Sequence, residues 1–401
     1  MQTTTQVTAP TGKRAIPDNS RSFSIDLLRG IAIFLVFLYH SLASSYGFAQ
    51  FEWGPGLLRN FDVPYTFLLL SPATLGWAGV AIFFAVSGFC IHHSYSKERK
   101  RGAGRYLIKR TFRIYPPFLI AVLILSFCYP WLEIHKPNGV RCLVYHLLMI
   151  HNFSETCVLT INPAFWSISI EFQLYLIYLI LMKMVDRFGW NAVIFATFST
   201  EMGLRIWLSC LQVENMETPQ LIFGSPFLYV FSWTIGARIC EMCLRHEERK
   251  VPLCIPLALI GGAILSAFVK PLAQFGFPLF SVATAIFILR DNGNQINRYK
   301  IFKWGVLLGV ASYSYYLYHI PVLVLVRRLV NEFGFWFTGH PFISFWICVV
   351  VAVPLYSLSL FLRNFVEVPS VSAGYHILKL TEGWGPQSRA AVARQVTRTR
   401  L

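Results

Sequence analysis

Ten apolar stretches, each close to twenty residues, divide this chain and limit its fold more than any other feature. They cover 24–46, 76–95, 114–132, 165–185, 190–211, 221–240, 251–269, 273–289, 304–326 and 342–362. A helix needs about 20 apolar residues to cross the ~30 Å hydrocarbon core of a bilayer. The pattern predicts an all-α fold, a polytopic transmembrane helical bundle of about ten spans. The stretch "VRCLVYHLLMIHNF" at 140–153 is too short to cross and is read as a re-entrant or interfacial helix. Composition agrees: only 13% of residues are charged, against about 25% in ordinary soluble domains, and the mean hydropathy is +0.53.

A net charge of +16 suggests a nucleic-acid partner until the charges are placed. With the amino terminus inside, 28 Lys and Arg fall on the cytoplasmic side and 6 on the outer side (Arg59, Lys136, Arg141, Lys270, Arg327 and Arg328). Arg205 lies within a span. Such a bias follows the positive-inside rule and leaves no concentrated basic face for DNA or RNA. It predicts an even number of spans with both termini cytoplasmic.

The domain reading is a disordered cytoplasmic tail at 1–21, a membrane domain at 22–370 and a basic cytoplasmic tail at 371–401. No short cleavable signal segment is recognised, so the first span is expected to be an uncleaved anchor. Most of the nine cysteines lie in spans, where they pack as small apolar residues. Cys240-x-x-Cys243 lacks a second pair, and no metal is expected. Cys142 and Cys157 share the second outer loop and are candidates for a disulfide.

Four polar constellations interrupt the apolar spans, and ionisable groups within a membrane are functional suspects by default. Arg29 and His40, eleven residues apart in the first span, share one helix face about 16 Å apart along the axis. Asp26 precedes them on the same stretch. In "KRTFRIYP", 109–116, Arg110 and Arg113 sit one turn apart at the cytoplasmic mouth of the third span. "NPAFWSISIEFQLYL", 162–176, carries Trp166 and Glu171, and "SYSYYLYHIPV", 312–322, carries His319. Topology places His40, Glu171 and His319 in the outer half of the membrane and the arginine pair at the inner surface. Two guanidiniums at i and i+3 suit a phosphate by bidentate charge-assisted bonds. A histidine beside an acceptor hydroxyl can remove its proton, and a carboxylate on the other ring nitrogen would fix the tautomer. The division suits a substrate with an anionic head on a long thin arm, such as a phosphopantetheine thioester.

These motifs, with "FFAVSGF" at 83–89, resemble in combination the acyltransferase-3 family of integral membrane O-acyltransferases, which acylate sugars of cell envelopes and secreted glycans. The likeness covers about 22–370. It implies an acyl-CoA donor, with acetyl-CoA the first choice, no permanently bound cofactor, and a carbohydrate acceptor. It also implies that His40 is catalytic and that Arg110 and Arg113 handle coenzyme A. Glu171 is read as acting with His40, and Arg29, His319, Trp166 and Asp26 as supporting substrate binding. The hydrolase-like domain fused in some members is not recognised, so the membrane domain alone is expected to bind the acceptor. The location implied is the cytoplasmic (inner) membrane, multi-pass.

Other readings stand beside these. Arg110 and Arg113 could be plain topological charge, and His319 packing. Ser87 and Gly88 read as a close helix contact, His92 and His93 as interfacial, and Glu367 as structural. Trp166, Trp304 and Trp336 suit interface anchoring. The competing function is a transporter or flippase of a lipid-linked sugar, which would also need buried charges. The chain shows neither inverted repeats nor paired broken helices. A non-catalytic scaffold gives no reason for four polar constellations.

Overall fold

The structure, a computed structural model, describes residues 18–46, 70–99, 102–128, 133–214, 216, 219–247, 251–290, 302–332 and 340–382. Most of both expected tails, at 1–17 and 383–401, lies outside these residues, as do Arg59 and Trp336. The described residues are helical with no strand. The first three long helices are α1 (Asp18–Tyr46), α2 (Gly76–Ser96) and α3 (Ala103–Phe127). The short α4 (Gly139–Leu147) and the long α5 (Phe165–Val213) follow. Next come α6 (Val230–Leu244), α7 (Cys254–Ser266) and α8 (Gly276–Arg290). The chain continues through α9 (Lys303–Val310), α10 (Ser312–Glu332), α11 (Pro341–Val350), α12 (Ala352–Leu362) and α13 (Val368–Glu382).

Among the described residues, each of the ten apolar stretches falls mostly on helix, but not always on one straight span. Seven helical segments among the described residues are long and apolar enough to cross a bilayer, or eight if one bent pair forms a single span. The count of ten divides α5 and includes α7. At 49 residues, α5 would be about 74 Å long if straight, far more than one crossing. Gly189, at φ 80° and ψ 166°, breaks it between the two expected stretches. That conformation is open to glycine and costly for other residues. α7 has only 13 residues. The expected straight span at 304–326 is corrected: α9 and α10 meet at Ala311 with a bend of 80°, so the rise from Lys303 to His319 is not that of one helix. Two further boundaries move. α3 starts at Ala103, which puts Arg110 and Arg113 inside the helix rather than before it. Beyond α12, a π-helical turn at Arg363–Glu367 leads into α13, so the chain stays helical to Glu382.

α2 packs closely on α6, and α1 on α9, through glycines. A Cβ on Gly88 would lie 2.0 Å from the Trp233 carbonyl oxygen, and one on Gly236 1.9 Å from that of Ala85. Only glycine lets the α2 and α6 backbones approach this closely, which is how membrane helices gain packing without a hydrophobic driving force. The one cation deep in α5 is fully matched. Arg205 donates to Glu201 at 3.0 Å and to the Gln274 and Leu228 carbonyls at 2.8 and 2.9 Å. Glu201 also accepts from the Ser232 backbone and hydroxyl at 2.9 and 2.6 Å. Breaking such a pair would leave an uncompensated buried charge, so this pair is structural.

Between α3 and α5, the expected short helix is α4. Cys142 on α4 forms a disulfide with Cys157.

Candidate functional site

A cavity of about 300 Å³ lies between α1, α2, α3, α5, the α9–α10 bend and the turn into α13. Five of the eight residues read from the sequence as catalytic, donor-binding or supporting line it together: Asp26, Arg29, Arg110, Arg113 and Glu171. Lys109, Arg363 and Glu367 add further charge to its wall.

The cations differ in how they are satisfied. Arg29 donates to Asp26 Oδ1 and to Cys90 Sγ, both at 3.4 Å. Lys109 pairs with Glu98 and lies 4.6 Å over the Tyr375 ring. By contrast, neither Arg110 nor Arg113 has a hydrogen bond or ion pair with any described residue, and Arg110 Nε is buried without a partner. Buried polar groups are nearly always paired, so Arg110 Nε needs a ligand or water, while the half-buried Arg113 guanidinium has the Glu367 carboxylate as its neighbouring opposite charge.

Glu171 is held in place from one side. Its Oε1 accepts from Ser87 Oγ and from Tyr175 OH, each at 2.6 Å. Ser87 in turn accepts from Trp233 Nε1 at 3.3 Å. The expected contact between Glu171 and His40 is therefore corrected. Tyr39, beside His40, packs on Gly76 at the start of α2. Ser87 lies eleven residues further along α2, about 16 Å away. The histidine and the carboxylate occupy different levels of the bundle.

His40 is instead paired with His319. His40 Nδ1 is 2.8 Å from the Val36 carbonyl oxygen and 3.2 Å from His319 Nε2. His319 Nδ1 is 2.7 Å from the Tyr316 carbonyl oxygen. Carbonyls only accept, so Nδ1 carries the proton in both rings. His319 Nε2 then accepts from His40, and His40 Nε2 is the basic nitrogen. His40 is 6% exposed and His319 fully buried, and neither lines the cavity. Between them and the cavity stands Tyr316, whose ring centroid is 5.3 Å from that of His319.

Trp166 does not line the cavity. It packs in the core against Phe223 and Tyr229, while Trp304 is 75% exposed, as an interface anchor would be. His92 is buried rather than interfacial, bonded to Tyr178 OH at 2.9 Å and Glu241 at 2.8 Å. Glu367, read as structural, lines the cavity and accepts from Ser314 at 3.1 Å. Sequence reasoning missed Arg363, Tyr175 and the hydroxyl of Ser87. Arg363 and Glu367 are four residues apart and share a face at the ordinary helical period; what the sequence does not show is that the helix continues past 362 to carry that face to the cavity.

The family model described as an acyltransferase domain matches residues 22–359. Peptidoglycan O-acetyltransferase OatA of Listeria monocytogenes is 20% identical over 387 residues, covering 88% of this chain and 56% of that protein. The chain thus spans little more than half the length of that relative. Acyltransferase MdmB of Streptomyces mycarofaciens is 26% identical over 349 residues, covering 78% of this chain and 82% of its own. Nodulation protein 10 of Rhizobium leguminosarum bv. viciae is 21% identical over 326 residues, covering 73% and 82%. No solved structure matches. A match over this much of the chain, on a helical bundle with several membrane-length apolar helices, makes the chain a member of the acyltransferase-3 family of membrane acyltransferases.

Proposed function

We propose that this protein is an O-acyltransferase of the cytoplasmic membrane that moves an acyl group, acetyl in the first instance, from cytoplasmic acyl-CoA to a hydroxyl of a cell-envelope, lipid-linked or exported carbohydrate. The observation that carries the donor is the pair of guanidiniums Arg110 and Arg113, neither hydrogen-bonded to a described residue, on the wall of a cavity bounded by Tyr316, whose ring adjoins the histidine pair. A diphosphate gives each of them a charge-assisted, two-point partner. The thioester arm then runs along the cavity past Glu171. His40 Nε2 takes the proton of the acceptor hydroxyl as its oxygen attacks the thioester carbonyl. The tetrahedral intermediate collapses with cleavage of the C–S bond, and the departing thiolate takes the proton back from the imidazolium. The products are the ester and free CoA. His319 and the Val36 carbonyl hold the His40 proton on Nδ1, the orienting role often given to a carboxylate.

The test is release of free thiol from acetyl-CoA by purified protein in membranes that contain envelope glycans, with mass spectrometry of the glycans. Saturable thiol release with matching gain of acetyl ester supports the proposal. Glycans that gain acetyl with no dependence on added acetyl-CoA would overturn the donor assignment.

A further inference from the structure

The deep end of the cavity is closed by an aromatic wall. Phe83, Phe84, Ile168 and Tyr316 line it there together with Ser167. Tyr316 is the member of this group next to the histidines. Its ring is 7% exposed and packs edge-on against Phe83 at 6.0 Å. Its hydroxyl lies 2.7 Å from Ser167 Oγ and 3.1 Å from the Ala164 carbonyl oxygen, so the ring is anchored at its hydroxyl end by two hydrogen bonds. Its backbone carbonyl accepts from His319 Nδ1. One residue thus bounds the cavity on one side and sets the tautomer of the histidine pair on the other.

Resting on the donor reading above, we propose that Tyr316 limits the length of the acyl group and selects a short-chain acyl thioester. An acyl chain entering head first past Arg110 and Glu171 ends at this ring, within one side chain of His319. An acetyl group needs only the space beside the ring. Each further methylene has to displace a side chain held by two hydrogen bonds and packed on Phe83. Packed walls of this kind discriminate by about 10- to 200-fold per methylene, because protein interiors are close-packed and yield little. The hydroxyl anchors the ring, and the ring does the excluding, so the two can be separated by substitution.

The experiment measures thiol release from acetyl-, butyryl-, hexanoyl- and octanoyl-CoA by purified wild-type protein, Tyr316→Phe and Tyr316→Leu, each checked for normal insertion and a monodisperse elution profile. The wild-type protein is expected to favour acetyl- over octanoyl-CoA by at least about 100-fold. Tyr316→Leu is expected to narrow that ratio to within about tenfold. Tyr316→Phe keeps the ring but loses its anchor, and the ratio should fall between the two. Ile168→Phe, which adds bulk to the same wall, should sharpen the preference for acetyl and so gives a reading if Tyr316→Leu fails to fold. Wild-type turnover with the same chain-length profile in every folded variant overturns this inference alone. No thiol release from any acyl-CoA by the wild-type protein overturns the donor reading and this inference with it.

Discussion

His40 and Glu171 show what a residue can and cannot reveal before the fold is known. Both are ionisable groups in apolar stretches, and both were legible as suspects in the sequence. Their partnership was not, because pairing across helices depends on register, and register depends on which small residues let the backbones approach. The structure gives His40 a histidine partner and gives Glu171 two hydroxyls. Separate partners predict separate effects. His40→Ala should lower turnover by about 10²–10⁴-fold, the usual loss for a general base. Glu171→Gln should act through the cavity and not through His40. Sites more than about 7–10 Å apart without shared partners combine additively in free energy, so the double variant should lose the product of the two factors. A double variant no worse than His40→Ala would show that the two groups act as one unit. Arg110 and Arg113 give a second test at this scale. Each lost charge-assisted bond is worth about 1.5–3 kcal/mol, so Arg110→Ala or Arg113→Ala should raise the donor KM by about ten- to a hundredfold. Lysine should restore only part of this, since an ammonium lacks the planar fork. If Lys restores the KM fully and Ala only reduces the inserted fraction, both residues are topological charge.

The elements themselves were largely legible, because apolar stretches in a bilayer leave the chain no alternative to helix. What the pattern hides is where helices bend. The 80° turn at Ala311 lies between two stretches that are both apolar and helical, and no proline or charge marks it. The π turn at Arg363–Glu367 carries two charges and precedes Pro369, yet nothing in the pattern distinguishes it from an ordinary helical turn; both charges reach the cavity. The loop between α3 and α5 was legible as a short helix and a candidate disulfide, but its stacked histidines were not. His146 and His151 lie with ring centroids 3.7 Å apart and planes at 7°, both fully buried, and neither Nε2 has a partner among the described residues. Burial lowers the pKa of His146 from 6.5 to about 4 and holds that of His151 well below 6.5, with the neighbouring ring adding to the effect in His151. A histidine with a depressed folded pKa binds fewer protons when folded. Its contribution to stability is therefore complete above about pH 6.5 and is lost as the pH falls through about 4. This loop should open between pH 6.5 and 4, measured as faster backbone hydrogen exchange over 139–162. His146→Phe should flatten the pH dependence, and an unchanged slope in that variant would remove the stacked pair as its cause.

At the scale of the whole molecule, one end carries the charge and the other carries the disulfide. Lys109, Arg110 and Arg113 lie in the first half of α3, and α4 with its Cys142–Cys157 bridge follows the other end of α3. α3 has 25 residues, about 37 Å of helix, enough to separate the two ends by a bilayer. Positive charge is retained on the cytoplasmic side during insertion, while disulfides persist where the compartment is oxidising. The two rules are independent, one electrostatic and one redox, and both lead to the orientation proposed above, with the basic end cytoplasmic. The arrangement predicts a sided enzyme. In inverted membrane vesicles, added acyl-CoA should reach Arg110 and Arg113 and be consumed, while an impermeant reductant should leave the Cys142–Cys157 bridge intact. In right-side-out vesicles both results should reverse, with the bridge reduced and the donor untouched until detergent opens the membrane. Equal consumption from both sides would mean that the donor does not enter by the basic end. Reduction of the bridge in inverted vesicles alone would turn the molecule over and put α4 in the cytoplasm.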